Sequence, residues 1–380
     1  VQPILTLTIH DLARGGAGVA RDAEGRVVFV PFTAPGDVVS VRIIESKKNY
    51  AQGELLEILT PAPLRQTPPC PVFGRCGGCQ WQHLPYELQF KTKFEGALQA
   101  LARVGVPRPH RVDGLHADRI WEYRNRVQLR GHKDELGFLA AGSNTRVPVD
   151  RCAIARPEIN AVWSEIREEG RKLELPYKVE VEVLGDGSIR KSWNAKHAAQ
   201  GFRQVHDEQN DKLRKWVAES LIPGLPVLDL YGGAGNLSLG LGALASEVDC
   251  VDIGSPTGDQ AQATARSWRG SPASFRFHRQ PVVPWIVKKV SESRKGKAAP
   301  ISVILDPPRE GLDADFQVVA ESIETLGARD ILAVGCDADS WARDVARFVK
   351  RGWVLERAAV LDLFPQTPHV ESLARLTLIR

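Results

Sequence analysis

The side chains able to do covalent, metal or cofactor chemistry in this chain are concentrated in a few short segments. Cys70, Cys76 and Cys79 fall within ten residues, while Cys152, Cys250 and Cys336 are scattered. That is not the pattern of a disulfide scaffold, and in an intracellular protein such a cluster is more often a metal site. Cys70, Cys76, Cys79 and Cys152 could supply four sulfur donors, which suit zinc and iron–sulfur groups alike. Cys336 lies just beyond the apolar run 331–334, where it could serve as a nucleophile or be a small buried hydrophobe. Glu371 ends the run Asp362-Leu363-Phe364-Pro365-Gln366-Thr367-Pro368-His369-Val370-Glu371 and could be a base or a solvated carboxylate.

Two further segments suggest a cofactor pocket. Tyr231-Gly232-Gly233-Ala234-Gly235-Asn236 follows an apolar run at 227–230, and Asp252 ends the next run about 20 residues on. Glycines there permit a tight turn and close backbone approach, and an acid at that distance can bond ribose hydroxyls. The dinucleotide spacing G-x-G-x-x-G is absent, because Ser238 stands where the third glycine would fall. An adenosyl cofactor without a pyrophosphate fits better. Asp306-Pro307-Pro308-Arg309 follows the run 301–305 directly, and two fixed φ angles would hold its carboxylate rigidly toward a crevice. Arg309 stands where amino-group methyltransferases carry a stacking aromatic residue, and no cysteine follows the proline as in cytosine-C5 enzymes.

These segments need elements to position them, and the pattern predicts three regions. Residues 1–62 read as short strands at 5–9, 27–30, 38–44 and 54–59, punctuated by Gly15-Gly16 and Pro35-Gly36-Asp37. Short strands with such turns suit a small five-stranded barrel of the oligonucleotide-binding type. Residues 63–203 hold the cysteine cluster, a helix at 88–104 and a strand-rich stretch at 121–190, as in a compact insert domain. From 204 to 380 helix and strand alternate: helix 211–220, strand 227–230, helix 237–245, strand 248–253, strands 301–305 and 331–334, and helix 340–348. That order predicts a doubly wound α/β domain, with ligands at the carboxyl ends of its strands.

Composition agrees with a folded, multidomain protein. The 380 residues are 43 % hydrophobic and 25 % charged, near globular averages, which excludes wholesale disorder and collagen-like repetition. Apolar runs are far shorter than the roughly 20 residues that span a bilayer, and Val1 opens no secretory signal region, so a cytoplasmic protein without a membrane partner is expected. The net charge of +4 is uneven: −1 over residues 1–62, +7 over 63–203 and −2 over the remainder. Polyanion binding is therefore expected in the middle, at Tyr123-Arg124-Asn125-Arg126 and Arg190-Lys191, unless those charges form a solvated face.

Taken together, these residues resemble the S-adenosylmethionine-dependent RNA 5-methyluridine methyltransferases over nearly the whole chain. The likeness is greatest to the branch acting on 23S ribosomal RNA, which adds an N-terminal TRAM barrel and a four-iron four-sulfur cluster. The matching segments are 18–44, Cys70-x5-Cys76-x2-Cys79 with Cys152, Phe202-Arg203-Gln204-Val205, 229–236, 306–311, Cys336 with Ala342-Arg343-Asp344, and 362–371. The resemblance implies Cys336 as the nucleophile and Glu371 as the base that removes the C5 proton. It implies that Gln204, Tyr231, Gly233, Gly235, Asn236, Asp252 and Asp306 line the cofactor and uracil pocket. It also moves the four clustered cysteines from zinc toward a structural iron–sulfur cluster. A monomer acting on ribosomal RNA is expected; the same chemistry on the transfer RNA T-loop, or a non-catalytic RNA-binding protein, are the alternatives. Departures from the family pattern are Gly335-Cys336-Asp337-Ala338 for Ser-Cys-Asn-Pro, His206 for Asn, Leu363 for the usual Met in a chain with no methionine, and Gly232 for Cys. The last is expected to be a harmless exchange.

Overall fold

A computed structural model describes residues 3–195, 203–254, 274–293 and 299–378. The chain forms two compact units. Unit 1 comprises Val1–Lys93, Asp118–His197 and Phe364–His369; unit 2 comprises Phe94–Ala117, Ala198–Leu363 and Val370–Arg380.

Unit 1 contains two sheets. Strands β1 (Ile4–Thr8), β2 (Asp11–Leu12), β3 (Gly18–Arg21), β4 (Val27–Val30), β5 (Val38–Ser46) and β6 (Tyr50–Thr60) form the first, in the order β1-β5-β6-β4-β3-β2. Six strands are present where five were expected, because the two-residue β2 is too short to leave a period-2 signal in sequence. Alternation sends Val39, Val41 and Ile43 of β5 inward, onto a core completed by Leu7, Val28 and Val30. The fully buried Asp37 carboxylate accepts from Ala34 N (2.7 Å), Ala62 N (2.8 Å) and Arg65 Nη1 (2.6 Å), tying the loop before β5 to the chain leaving β6. The second sheet is β8 (Arg126–His132), β9 (Glu135–Leu139), β10 (Arg146–Pro148), β11 (Tyr177–Val183) and β12 (Ile189–Trp193), ordered β10-β9-β8-β11-β12. Helices α2 (Pro157–Ala161) and α3 (Trp163–Arg171) supply Ile159, Trp163 and Ile166 to the core beneath it, and Cys70, Cys76 and Cys152 pack on that core.

Unit 2 is built on one sheet of eight strands: β7 (Arg111–Leu115), β13 (Val227–Leu230), β14 (Val248–Asp252), β15 (Phe275–Arg279), β16 (Ile301–Leu305), β17 (Ala328–Gly335), β18 (Trp353–Leu361) and β19 (Glu371–Leu378). Its order is β15-β14-β13-β16-β17-β19-β18-β7. The first five strands are parallel; the inner strands β13, β16 and β17 are largely apolar and buried on both faces, while the edge strand β15 reads FRFHR and is mostly accessible. β19 runs antiparallel between β17 and β18, and β7 joins the far edge parallel to β18. The helices are α4 (Asp207–Ser220), α5 (Val282–Ser293), α6 (Phe316–Thr325) and α7 (Ala338–Lys350), while α1 (Tyr86–Arg103) gives its first turns to unit 1 and the rest to unit 2. The helix expected at 237–245 is absent: turns and a short 3-10 segment, Gly242–Leu244, stand there. Gly240 and Gly242, the latter at φ +54°, interrupt the apolar spacing that suggested a helix.

Strand order reverses beside β13: β14 lies on one side and β16 on the other. Connections leaving such neighbours in opposite directions open a crevice at their carboxyl ends. Tyr231 and Asp306 are the residues that immediately follow those two strands.

Candidate active site

The turn after β13 is shaped by backbone conformation before any ligand is considered. Tyr231, Gly233 and Gly235 adopt φ +62°, +56° and +74°, so two of the three left-handed positions are glycines, which tolerate them without strain. Asp252, at the end of β14, accepts from Gly233 N at 3.0 Å and Gly254 N at 2.6 Å, fixing the turn to the neighbouring strand. Asn236 forms a reciprocal amide pair with Asn210 of α4, at 2.9 and 2.8 Å, so its side chain braces the turn. Gln204 is buried just ahead of α4, and Phe202 of its segment lies outside the described residues.

Gly232 is not the harmless exchange expected from sequence. A Cβ there would lie 2.6 Å from the Asp229 carboxylate and 2.7 Å from Cys250 Sγ. The fully buried Cys250 therefore occupies the room a side chain at 232 would need. Asp229 also accepts from Ser238 Oγ at 2.5 Å. Burial pushes the Asp229 carboxyl up to about 6, an effect that hydrogen bonds from Ser238 and Cys250 oppose and the Asp252 charge increases.

The reacting groups expected from sequence stand on adjacent strands. Pairing of Gly335 with Ser372 in the β17–β19 ladder makes Cys336 and Glu371 the next opposed positions, which place their side chains on one face. Asp306 follows β16, which pairs with β17 on its other side. The three groups feel one another. Burial pushes the Cys336 thiol up to about 11, with the Glu371 and Asp306 charges adding to the rise. Burial and Asp306 hold Glu371 well above the ordinary carboxylate range. Burial, with Asp229 and Asp252, brings Asp306 to about 7. Arg309 opposes this crowding: its guanidinium hydrogen-bonds Cys336 and favours the charged forms of both Cys336 and Glu371. Sequence reading noted only that Arg309 was not aromatic.

The loop carrying Asp306 and Arg309 is fixed to α7. Leu312 N donates to Asp344 Oδ2 at 2.7 Å and Ser340 Oγ donates to the Arg309 carbonyl at 2.7 Å. Asp337 caps α7 by accepting from Asp339 N (3.1 Å) and Ser340 N (2.9 Å), placing Cys336 just before a helix N-terminus, where thiolate is favoured. Trp341 accounts for Gly335, whose Cβ would lie 2.8 Å from the Trp341 Cβ.

Unit 1 holds the other expected groups. In the segment Phe364–His369, the buried Gln366 at φ +70° donates its N–H to Gln89 Oε1 at 2.9 Å and accepts from Gln80 N and Trp81 N, both at 3.0 Å. Cys70, Cys76, Cys79 and Cys152 are all free thiols. Burial, with the charges of the other cysteines, raises Cys76 and Cys152 and pushes Cys79 up to about 12, so the four lie within electrostatic reach of one another. Gly78 N donates to Cys76 Sγ at 3.4 Å, Gln82 bonds the Cys79 thiol, and the backbone at 154–155 bonds Cys152. Soft sulfur donors with N–H groups aimed at them fit an iron–sulfur cluster in kind. Among the described residues, however, no three Cys, His, Asp or Glu side chains close to metal-binding geometry.

The cations expected to receive a polyanion are largely neutralised within unit 1. Arg126 is buried against Glu182 at 2.9 Å, Arg190 reaches the same carboxylate at 2.5 Å, and Lys191 bonds Glu165 and Glu169 at 2.8 and 2.7 Å. Counting charges along the sequence could not show these partners. No helix among the described residues is long and apolar enough to cross a membrane.

Comparison with known proteins agrees with this architecture. Residues 3–56 match the TRAM domain family. An uncharacterized RNA methyltransferase of Bdellovibrio bacteriovorus is 30% identical over 388 residues, spanning 98% of this chain and 94% of the relative. The 23S rRNA (uracil(1939)-C(5))-methyltransferase RlmD of Chromohalobacter salexigens is 30% identical over 442 residues, spanning 98% and 89%. The chain belongs to the RNA 5-methyluridine methyltransferase family. Its fold is that of the Pyrococcus abyssi tRNA (uracil-54, C5)-methyltransferase, solved with S-adenosyl-L-homocysteine: TM-score 0.72 at 21% identity, covering 98% of this chain and 100% of the other.

The contact beneath the glycine turn can be tested without substrate. Gly232→Ala should destabilise the methyltransferase by about 1–3 kcal/mol, the usual cost of overpacking, and Cys250→Ala in the same chain should recover only part, because the Asp229 contact remains. Denaturant unfolding of wild type and these two variants measures this; an unchanged midpoint for Gly232→Ala would show that the turn relaxes freely.

Proposed function

We propose that this enzyme transfers a methyl group from S-adenosylmethionine to C5 of a specific uridine in 23S ribosomal RNA. The observation that carries the reading is the β17–β19 register, which opposes Cys336 to Glu371 beside Asp306 at the sheet's switch point. Uracil C5 is a poor nucleophile. Addition of the Cys336 thiolate to C6 makes C5 the carbanionic end of an enolate. S-adenosylmethionine, when bound, supplies an electrophilic methyl on a sulfonium. With C5 methylated, the Glu371 carboxylate, whose charged form Arg309 favours against burial, takes the C5 proton, the C5–C6 double bond re-forms and the Cys336 thiolate departs. Arg309 and the N-terminus of α7 favour the thiolate that must form first, since the resting thiol is protonated at neutral pH. Gln204, Tyr231, Gly233, Gly235, Asn236, Asp252 and Asp306 form the cofactor and uracil pocket in this reading. The target base leaves its stack to reach Cys336, at a cost of about a few kcal/mol.

We also propose that Cys70, Cys76, Cys79 and Cys152 hold a four-iron four-sulfur cluster with a structural role, because methyl transfer needs no redox step. The working modules are then residues 1–62, a TRAM barrel; 63–203, a cluster domain; and 204–380, the methyltransferase domain, acting as a cytoplasmic monomer.

Covalent chemistry is the direct test. Wild-type enzyme should form a denaturation-resistant adduct with RNA carrying 5-fluorouridine, whose C5 substituent cannot be removed as a proton, and Cys336→Ala should form none. Glu371→Gln should lower turnover by about 10²–10⁴-fold and accumulate adduct on ordinary uridine RNA. Offered unmodified 23S ribosomal RNA and unmodified transfer RNA, the enzyme should methylate the former; transfer confined to the latter would reassign the substrate.

Acidity gives a second test. A sulfonium is a cation and binds best to ionised carboxylates. Asp306 and Asp229 lose their protons near 7 and 6, so affinity for S-adenosylmethionine should rise as pH increases through that window. The neutral thioether S-adenosylhomocysteine should show little change. Calorimetric titrations from pH 5.5 to 8.5 compare the two, and parallel profiles would remove the carboxylates from the explanation.

For the cluster, anaerobically purified enzyme should be brown and contain iron and acid-labile sulfide, both lost in Cys79→Ser. A colourless sample with stoichiometric zinc and no sulfide would assign the thiolates to zinc.

A further inference from the structure

One cleft in unit 1 opens beside the clustered cysteines. It has a volume of about 370 Å³ and is lined by Pro69, Cys70, Pro71, Trp121, Glu122, Arg151 and Ala153, so one of the four clustered thiols is part of its wall. That volume is in the range of small-ligand sites. Every other described tryptophan has a hydrogen bond to its indole N–H or a ring contact. Trp121 has neither among the described residues, and it is only half-buried on the cleft wall. A large apolar ring left without a partner beside open space is a stacking surface waiting for one.

The cleft's polar groups suit the rest of a nucleotide. Arg151 is 67% exposed and its one ion pair, to Glu122 at 3.1 Å, is with a carboxylate that is itself 43% exposed. Such a surface pair is worth only about 0–1 kcal/mol, so a phosphate can take the guanidinium at little cost. This distinguishes Arg151 from Arg126, Arg190 and Lys191, which are tied to better-buried partners or to two carboxylates at once. The wall is also preorganised. Glu122 N donates to the Ala153 carbonyl at 3.1 Å, Arg124 N to the Ile154 carbonyl at 2.8 Å, and Arg124 bridges Ala155. Those bonds hold the corner at Glu122 in a left-handed conformation, φ +53°, that a non-glycine residue rarely adopts.

We propose that this cleft is a nucleotide subsite for single-stranded substrate RNA, in which an unstacked base lies on Trp121 and its phosphate pairs with Arg151. Aromatic stacking plus a cation for the backbone is how proteins hold unpaired RNA without reading its sequence. The subsite rests on the RNA substrate of the proposed function and adds which residues of unit 1 grip part of that RNA.

The test uses the full-length enzyme and unmodified 23S ribosomal RNA, with binding followed by anisotropy across a salt series and methyl transfer followed in parallel. Trp121→Ala should weaken RNA binding about 5- to 100-fold, the loss of one base–aromatic stack, while Trp121→Phe keeps most of it. Arg151→Ala should reduce the salt slope by about one. In both, KM for RNA rises while the affinity for S-adenosylmethionine and the saturating turnover stay near wild type. Ultraviolet cross-linking should join wild-type RNA to the peptide containing Trp121. If Trp121→Ala fails to fold, Arg151→Ala and the cross-link decide. A wild-type enzyme that binds no RNA overturns the reading beneath this one. Wild-type binding that is unchanged in the variants, with cross-links only elsewhere, overturns the subsite alone.

Discussion

Asp229, Asp306, Glu371 and the Cys336 thiol lie toward the carboxyl ends of the parallel strands of one mixed sheet, where burial makes each added negative charge costly. Unit charges a few ångströms apart in such surroundings interact several-fold more strongly than in water. The outcome is visible group by group: each is pushed toward its protonated form by burial first and by its acidic neighbours second. The site at rest is therefore a store of protons and an attractive place for a cation. Arg309 supplies one fixed positive charge from within, and α7 supplies the partial charge of its N-terminus. A methyl donor that carries its own positive charge meets the same requirement from outside. The anchoring of the Asp306–Arg309 loop to Ser340 and Asp344 follows from this, since a countercharge on a free loop would not stay beside the thiol.

The departures from the family pattern have local physical reasons. Gly335 makes room for Trp341, whose indole donates to the Ala333 carbonyl at 3.2 Å and packs the turn that presents Cys336. Asp337 does what asparagine could do in its place, capping the helix with a side-chain oxygen. Gly232 leaves the room that the Cys250 sulfur on β14 fills. Gly335 and Asp337 are matched to residues nearby in sequence, whereas the neighbour of Gly232 is on another strand, which explains why Gly232 taken alone looked inconsequential.

What was legible in sequence was whatever depends on local spacing. The central strands of unit 2 are apolar runs bounded by polar turns, and β13 and β16 stand where those runs predict them. Cys336, Glu371, Asp306 and the glycine turn were found because each sits one residue past such a run or at the start of the next. Illegible features depend on partners far along the chain. β7 reads RVDGL, with no strong alternation, and is a strand because β18 offers it an edge. The cations of 124–126 and 190–191 seemed available until β8, β11 and β12 aligned them with Glu182, and α3 brought Glu165 and Glu169 to Lys191. Tertiary context also overrode the apolar spacing at 237–245, where two glycines outweighed periodicity.

The same distinction bears on the four cysteines. Between the end of β6 at Thr60 and the start of α1 at Tyr86 the chain has no helix or strand, yet residues such as Val72, Trp81 and Leu84 within it are buried. A structureless stretch this long is unusual inside a compact unit and normally serves a purpose. Its backbone bonds are partly short turns, such as Phe73 N to Cys70 O at 3.1 Å and Cys76 N to Val72 O at 3.0 Å, and partly ties to distant segments, such as Gly77 N to Leu139 O at 2.9 Å and Trp81 N to Gln366 O at 3.0 Å. Three of the four thiols lie in it, and the fourth, Cys152, is fixed beside α2 by Asn160, which accepts from Cys152 N at 2.8 Å and donates to its carbonyl at 3.0 Å. A group binding all four would cross-link the irregular segment to the second sheet and relieve the mutual repulsion of the thiolates. It would thereby add to the cohesion that this segment already draws from the apolar cluster of Ala62, Trp81 and Leu84 with Leu12 and Ala34, a structural role that requires no transfer of electrons.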